Sequence, residues 1–386
     1  MRILHTSDWH LLKPIGHRDR SAEHAAAIDE VVAIAGDEGA DLVIHSGDLF
    51  DRALPGPEAI GLALEGLVRL ADGGRRPVVV VAGNHDSPKL FSALAPVLRP
   101  LGVHLVGDLL PPDAGGSLTL AAGGSEALVA CVPYVTQGRV VDFMDDPGKV
   151  YARYADRMQA IIRPHHAYAE SRRTDAVTIL AAHFMVGGVE VRGGRGRTGM
   201  KELSIGEAFV VTDAAVNHDF SYVALGHIHN PQALPNRSIT GAYAGSLVQL
   251  DFGEAGEQKR VVLVDAEPGR PAEVTNVPLS AGTPLVQRAG RWVDLDASDD
   301  LEGAWLDLTV HTDAPPPPSE VEGWRARFPM AVKLSVEYPR TDAEEHHRVE
   351  GRAIEDLYAE YHETVHGEID DDYLALVREV AEEASG

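Results

Sequence analysis

Short apolar runs, each followed directly by polar residues, mark the N-terminal part of the chain. The clearest run is four valines at 78–81, and the sequence Gly-Asn-His-Asp follows at 83–86. A continuous apolar run of this length predicts a strand buried on both faces, as in a parallel sheet covered by helices. Ligands of such sheets collect beyond the carboxyl ends of the strands, so residues 83–86 stand where a functional site is expected.

Apolar runs alternate with amphipathic segments before and after this strand. Strands are predicted at 2–7, 41–46 and 78–81, with amphipathic helices at 21–37 and 57–70 between them. The order β-α-β-α-β predicts an α/β fold with a parallel sheet. Further strands are predicted at 128–134, 176–182 and 222–225.

The pattern changes in the C-terminal third of the chain. A shift in composition at 271–284 predicts a linker, and 285–340 alternates strand, strand, helix, strand, which is typical of a small α+β module. Two amphipathic stretches, at 354–361 and 373–380, are expected to dock on a partner; the alternative is that they pack on this chain's own body. The chain is therefore predicted to have three parts, 1–275, 282–340 and a helical tail at 345–386.

Charge restricts how this protein can meet a polyanion. The chain has 386 residues, with 59 acidic and 34 basic side chains and a formal net charge of −25. Bulk attraction to nucleic acid or anionic lipid is excluded, so a nuclease with this balance needs metal ions, a local basic loop or a partner subunit. A glycine-rich loop offers three arginines that are expected to contact DNA phosphates, with a disordered loop as the alternative: Arg192, Arg195 and Arg197.

Cysteine usage and hydropathy bear on the compartment. The single cysteine, Cys131, excludes an internal disulfide and fits a reducing environment. We find no apolar run of about 18 residues, the length that a membrane span requires, and no N-terminal signal segment. We therefore expect a protein with no membrane span and a cytoplasmic location.

Side chains able to bind metal follow five of the predicted strands. Because the carboxyl ends of parallel strands meet at one edge of a sheet, we expect these side chains to lie together. Oxygen donors mixed with imidazoles suit Mn²⁺, Fe²⁺ or Zn²⁺, and one carboxylate between two ligand sets predicts a two-metal centre bridged by Asp48. The side chains are Asp8 and His10, Asp48, Asn84 and His85, His183, and His227 and His229.

Each motif alone is weak evidence. D-x-H is more often structural than catalytic, and GD-x-x-D or GNHD can cap a helix. All the motifs occur here in one order, each at the end of a predicted strand. The combination therefore favours a metal centre over coincidence.

The series D-x-H, GD-x-x-D, GNHD, H, GH-x-H resembles the signature of calcineurin-like metallophosphoesterases. The resemblance implies a β-sandwich flanked by helices, followed by a capping domain and a helical tail. It implies two divalent ions, manganese above all, that hydrolyse a phosphodiester. One ion would be bound by Asp8, His10, Asp48 and His229, and the other by Asp48, Asn84, His183 and His227.

Two further roles come from the same resemblance. His85 is expected to face the scissile phosphate and protonate the leaving oxygen, and Asp86 is expected to orient that imidazole. One segment departs from the family pattern, because Leu11-Leu12-Lys13-Pro14 stands where Leu-Gly is usual. The departure affects the expected course of that loop but not the ligands.

Three sequence blocks are similar to one bacterial branch of this family: MRILHTSDWH, AGNHDS and AGSLVQLDFGE. The branch implies a DNA nuclease subunit, a 3′–5′ exonuclease on duplex ends and an endonuclease on hairpins and single strands. It also implies a coiled-coil ATPase partner docked on the tail, and a homodimer formed near Leu67 and Phe91. Two alternatives stay open: a phosphodiesterase for nucleotides or other small esters, and a non-catalytic scaffold of a DNA-end complex.

Overall fold

The computed structural model describes residues 1–135, 147–191, 210–212, 215–216 and 220–339, with 356–359, 362, 373–374 and 376–377 of the tail. Strands and helices alternate from the N-terminus, as the hydrophobic pattern predicts. The first elements are β1 (Arg2–Thr6), α1 (Ser21–Asp37), β2 (Leu42–His45), α2 (Pro57–Leu70), β3 (Val78–Val81), α3 (Pro88–Leu98) and β4 (Val103–Val106).

A second group of strands follows, with one long helix among them. These elements are β5 (Ser117–Ala122), β6 (Ser125–Val132), α4 (Pro147–Arg172), β7 (Ala176–His183), β8 (Met185–Val186), β9 (Val210–Val211), β10 (Tyr222–Gly226), β11 (Gln232–Ala233) and β12 (Gly241–Tyr243). The chain then returns to the first group through β13 (Arg260–Asp265) and β14 (Glu273–Pro278).

Two six-stranded sheets pack face to face. The first has the order β14-β13-β1-β2-β3-β4 and the second the order β11-β12-β10-β7-β6-β5. β1 to β4 are parallel to one another, as are β6, β7, β10 and β12. The five strands that precede the predicted ligands are thus divided between two sheets. The expectation of a single sheet edge was wrong, because strand pairing is decided by long-range contacts that periodicity does not report.

The valine strand shows how the sandwich is built. Val79 and Val81 point into the core between the sheets, together with residues of both sheets such as Ile44 and Ile179. Val78 and Val80 point the other way, into the core formed with α1, α2 and α3. Alternate residues of a strand face opposite sides, so four consecutive apolar residues fit a strand covered on both.

Helices cover both outer faces of the sandwich. α4 packs Tyr154, Met158 and Ile162 against the second sheet. On the first sheet, the apolar stripes of α2 and α3, which the sequence offered as a dimer face, are turned toward the core, with Leu67 and Phe91 fully buried. The layers follow the order α/β/β/α, as expected for a metallophosphoesterase fold.

A three-stranded parallel sheet follows the sandwich in the chain. Its order is β15-β16-β17, and its core holds the stacked rings of Trp292 and Trp324, with centroids 5.3 Å apart. The module meets the sandwich at Glu23, which accepts hydrogen bonds from Trp305 Nε1 at 2.7 Å and from the backbone N–H of Thr283 at 2.9 Å. Its elements are β15 (Leu285–Gly290), α5 (Trp292–Asp296), β16 (Trp305–His311), α6 (Pro318–Arg327) and β17 (Ala331–Glu337).

The structure does not test three of the sequence predictions. The arginines at 192, 195 and 197 lie outside the described residues, as does most of the tail at 345–386. The division into three parts stays a prediction. Within the described ranges, every helix is too short or too polar to cross a lipid bilayer.

Candidate metal centre

The seven predicted ligands come together where the two sheets end. The first sheet supplies its ligands from the loops after β1, β2 and β3, and the second sheet from the end of β7 and the loop after β10. The carboxylates are sealed from solvent, with Asp8 fully buried and Asp48 2% exposed, whereas Asn84 faces outward. The predicted ligands therefore form a polar surface that solvent reaches on the side of Asn84.

One group of side chains surrounds His10. Its Nε2 atom lies 3.1 Å from Nε2 of His229 and 3.5 Å from Oδ2 of Asp48. Ligand atoms of Asp8, His10 and His229 all lie within 4.8 Å of one another. Two imidazoles and carboxylate oxygens therefore face a common point.

A second group surrounds His183. Its Nε2 atom lies 3.3 Å from the same Oδ2 of Asp48 and 3.0 Å from Oδ1 of Asn84. Nδ1 of His227 lies 2.9 Å from that amide oxygen. One carboxylate oxygen of Asp48 thus lies near both groups, which is the position of a bridging ligand. The roles of these residues as ligands stay a prediction.

The backbone at these positions is strained. Among the described residues, six that are not glycine have a positive φ, and four of them are predicted ligands: Asp8 at 50°, His10 at 42°, Asp48 at 53° and His227 at 92°. Each left-handed residue of this kind costs on the order of 1–3 kcal/mol, and such residues cluster at functional sites. The fold tolerates this strain in order to aim four side chains at one place.

Two glycines leave room for the cluster. A Cβ atom on Gly83 would overlap the Asp48 carboxylate, and one on Gly47 would overlap the imidazole of His183. Gly47 also has a φ of 110°, which a side chain would disfavour. Both glycines are required by close packing around Asp48.

The donor set fits divalent cations. Nδ1 of His183 lies 2.9 Å from the carbonyl oxygen of Ser46, and since a carbonyl only accepts, that nitrogen carries the proton. The lone pair of Nε2 then points at the oxygens of Asp48 and Asn84, an arrangement that needs a cation or a proton between the atoms. Carboxylates, imidazoles and one amide, without thiolates, suit the harder divalent metals.

Comparison with known proteins decides the family. The sequence profile described as calcineurin-like phosphoesterase matches residues 1–231. The chain belongs to the calcineurin-like phosphoesterase family. The family uses a site with two divalent metal ions, and the seven side chains are candidate ligand groups for it. The protein is therefore a metal-dependent phosphoesterase.

Two relatives of this phosphoesterase are similar over most of their length. The SbcD subunit of the nuclease SbcCD from Bacillus subtilis is 33% identical over 391 aligned residues, which cover 99% of this chain and 98% of that protein. The corresponding SbcD subunit from Rhodobacter capsulatus is 30% identical, with 82% of this chain and 81% of that protein covered. The similarity thus extends beyond the residues that the family profile matches.

Sequence reasoning missed a buried ion pair behind His229 in this phosphoesterase. Oε1 of Glu254 lies 2.9 Å from Nδ1 of His229, and Oε2 accepts a hydrogen bond from Nζ of Lys259 at 2.7 Å. Lys259 also donates to the backbone oxygen of His229 at 3.0 Å. The signal was present, because Glu254 closes the AGSLVQLDFGE block and Lys259 follows it, but the block served only to mark the resemblance.

The electrostatics of the phosphoesterase site favour cations. Burial opposes a charge on His183, but the Asp48 carboxylate outweighs it and raises the pKa of His183 to about 9. Burial also disfavours charge on Asp48, yet the surrounding imidazoles hold the pKa of Asp48 well below its usual range. Burial and the charge of His183 lower the pKa of His227 to about 3, so that ring is neutral. The ionised Asp48 therefore stabilises positive charge beside it, whereas the His227 ring is a neutral donor.

The expected role of Asp86 was wrong. Its carboxylate accepts hydrogen bonds from the backbone N–H groups of Leu49, Phe50 and Gly83, at 3.1, 3.0 and 2.9 Å. These contacts hold the Asp86 carboxylate against the backbone of both loops, whereas Nδ1 of His85 lies against the backbone oxygen of Asp51. Burial and the charge of Asp48 raise the pKa of Asp86 to about 7. Asp86 ties the loops after β2 and β3 together.

His85 is oriented instead by Asp51. Its Nδ1 atom lies 2.8 Å from the backbone oxygen of Asp51, which leaves Nε2 directed away from that contact. The Asp51 carboxylate also lies 3.6 Å from Nδ1 of His10 and 3.5 Å from Nζ of Lys13. Asp51 is the second aspartate of GD-x-x-D, and the two contacts of its carboxylate, with His10 and Lys13, explain why an acidic residue stands there.

Proposed function

We propose that this protein is the DNA nuclease subunit of an SbcC–SbcD-type complex. It would act with an SbcC-type coiled-coil ATPase in DNA end processing, recombination and repair, in the cytoplasm. Its activities would be a 3′–5′ exonuclease on duplex ends and an endonuclease on hairpins and single strands. The metal would be manganese.

The observation that carries this proposal is the extent of the similarity to the Bacillus subtilis nuclease subunit, which covers 99% of this chain. A phosphoesterase for small esters needs the sandwich alone. Here the similarity continues through the module at 285–337 and into the tail. The extra parts are therefore shared with a nuclease subunit, which favours DNA over a small phosphoester.

The seven converging side chains would hold the two ions. Asp8, His10 and His229 would hold one, Asn84, His183 and His227 the other, and Asp48 would bridge them. When bound, two such ions activate a water molecule and stabilise both the attacking and the leaving oxygen of a phosphodiester. The left-handed backbone at four of these positions would hold the side chains in place before metal binds.

His85 would act on the leaving group. Its Nδ1 proton is held by the backbone oxygen of Asp51, so a second proton can only sit on Nε2. An imidazole protonated in this way can donate to the departing oxygen, which is general acid catalysis. Its backbone N–H donates to Oδ1 of Asp48 at 2.8 Å, which ties the acid to the bridging carboxylate.

DNA binding and assembly belong to the same proposal. Because the net charge of −25 repels DNA, binding requires local positive charge. The arginines at 192, 195 and 197 would supply it by contacting phosphates. The tail at 345–386 would dock on the ATPase, the module at 282–340 would cap the nuclease domain at 1–275, and two copies would form a homodimer. The sequence relatives support the subunit role.

The test is cleavage of DNA by the purified protein. Hairpin and blunt duplex DNA are incubated with Mn²⁺, next to a chromogenic diester, with and without the ATPase. Cleavage of DNA that is lost in Asp48→Asn and in EDTA is the expected result. Cleavage of the diester alone would favour the small-ester alternative, and no cleavage of either, with the ATPase still bound, would favour the scaffold.

A further inference from the structure

A small pocket lies at the open edge of the sandwich, apart from the metal centre. It has a volume of about 210 Å³ and lies where β11 and β12 of the second sheet approach β13 and β14 of the first. It adjoins Gly241, the start of β12, whose parallel neighbour β10 ends at the metal centre. Its polar lining is Arg237, Thr240, Arg260 and Asn276.

Arg260 lines this pocket, and its guanidinium is not fully hydrogen-bonded inside the protein. Its Nε atom is buried and has no hydrogen-bond partner among the described residues. A buried donor without an acceptor costs on the order of 1–3 kcal/mol, so native structures rarely keep one without a reason. The ionisable groups that interact with Arg260 are Tyr222 and His5, and burial keeps both rings neutral. The guanidinium charge is therefore not compensated from inside the sandwich.

A second guanidinium lines the same pocket. Arg237 is exposed and makes no ion pair with a described carboxylate, and the described lining contains no acidic residue. Several described arginines do pair with carboxylates, for example Arg69 with Asp29 at 2.6 Å and Arg327 with Asp296 at 2.7 Å. Two guanidinium groups without a described carboxylate partner therefore line one cavity in a chain of net charge −25.

We propose that this pocket binds a phosphate group, either of a free nucleotide or of a DNA strand. Guanidinium groups bind phosphate through paired N–H donors, and the Thr240 hydroxyl and Asn276 amide lie in the same lining to add hydrogen bonds. The volume lies below the ~300 Å³ at which small-molecule sites begin, so the pocket takes the phosphate and leaves the rest of the ligand outside. The site does not depend on the proposed nuclease activity.

The test measures binding with the metal centre emptied. In EDTA, deoxyadenosine monophosphate is titrated by calorimetry, and a labelled single strand of about ten nucleotides is titrated by fluorescence anisotropy. Arg237→Gln and Arg260→Gln are compared with Arg75→Gln, which also removes one positive charge but from an exposed pair with Asp72. Circular dichroism reports whether each variant folds. If the half-buried Arg260→Gln does not fold, binding by Arg237→Gln alone tests the proposal.

We expect Arg237→Gln and Arg260→Gln each to weaken binding by at least about fivefold, with Arg75→Gln unchanged. Loss in the nucleotide titration assigns the site to free nucleotide, and loss with the oligonucleotide alone assigns it to a strand. The proposal is overturned if neither probe binds in EDTA, or if Arg237→Gln binds both probes as tightly as the unaltered protein. Crystals soaked in tungstate should show an anomalous peak between the two guanidinium groups.

Discussion

Oε1 of Glu254 lies 2.9 Å from Nδ1 of His229, and the glutamate is completely buried. Burial would favour the neutral acid, but the Lys259 ammonium and the His229 ring hold the pKa of Glu254 far below its usual range. An ionised carboxylate accepts the Nδ1 proton, so it leaves Nε2 of His229 free to bind a cation. Glu254 therefore fixes both the tautomer and the direction of this ring.

Removing the charge of that carboxylate should weaken metal binding. We expect Glu254→Gln to lower Mn²⁺ affinity by roughly 10–100-fold, which is typical for a partner of a ligating histidine. Calorimetric titration of Mn²⁺ into metal-free protein checks this. Glu267→Gln, which alters an exposed pair with Arg270, is the control and should keep normal affinity. Equal affinities of the two variants would contradict the role of Glu254.

Asp48 should matter to both ions. Its Oδ2 atom lies 3.5 Å from Nε2 of His10 and 3.3 Å from Nε2 of His183. Asp48→Asn should therefore reduce bound metal from about two ions per chain toward none, whereas His10→Ala should leave about one, as expected for a bridging ligand. Mass spectrometry of metal content after gel filtration distinguishes the two losses. A single ion lost in both variants would show that Asp48 does not bridge.

His85 should separate catalysis from metal binding. The structure places it beside the ligand set, with Nδ1 on the Asp51 oxygen. His85→Ala should retain its ions and lose roughly 10²–10⁴-fold in cleavage rate, the usual contribution of a general acid. Metal content and rate are measured on the same preparation, with the exposed His17→Ala as the matched control. Cleavage at the normal rate would refute the role.

Gly83 should tolerate no side chain. A Cβ atom there overlaps the Asp48 carboxylate, so Gly83→Ala should destabilise the protein by about 1–3 kcal/mol and abolish cleavage. Gly61, on the exposed side of α2, has nothing within 4 Å of such an atom. Gly61→Ala should instead stabilise the helix by about 0.5–1 kcal/mol. Urea unfolding measures both free energies, and similar values would disprove the close approach.

Glu23 should make attachment of the module dependent on pH. Burial raises its pKa, but hydrogen bonds from Arg20, Trp305 and Thr283 outweigh burial and lower the pKa below its ordinary value. A lowered pKa stabilises the folded state at pH values above the unfolded pKa of about 4.3, and this is lost as the pH falls through the folded value.

The matching experiment compares the free energy of unfolding at pH 7 and at pH 3. Glu23→Gln should be less stable by about 1–3 kcal/mol at pH 7, with a smaller difference from the unaltered protein at pH 3. Glu38→Gln, which alters an exposed pair with Arg2, should show little effect at either pH. A difference that stays constant with pH would exclude a contribution from the Glu23 charge.

Local pattern predicted the elements well. The structure has α1 at Ser21–Asp37 and β3 at Val78–Val81, as the periodicity indicated, because apolar spacing and strand burial are properties of neighbouring residues. The convergence of the polar residues followed only in part, because each one does follow a strand but the strands belong to two sheets rather than one. The family resemblance added the expected pairing of ligands, which spacing alone does not give.

What the sequence did not reveal depends on contacts between distant residues. His183 and Asp48 are separated by 135 positions, and they meet only because two sheets pack face to face. The partners of Asp86 were misjudged because two of them, Leu49 and Phe50, lie 37 and 36 positions earlier in the chain. Glu254 was missed because its partner His229 lies 25 residues earlier.

The division of the ligands between two sheets has a consequence for cohesion. Asp8, His10, Asp48 and Asn84 belong to one layer, and His183, His227 and His229 to the other. Ions bound across that boundary would hold the two layers together. A ligand present at a hundredfold its dissociation constant raises the free energy of unfolding by about 2.7 kcal/mol. Chelation of the ions would then lower the free energy of unfolding. Loss of metal would therefore expose the protein to proteolysis as well as remove its activity.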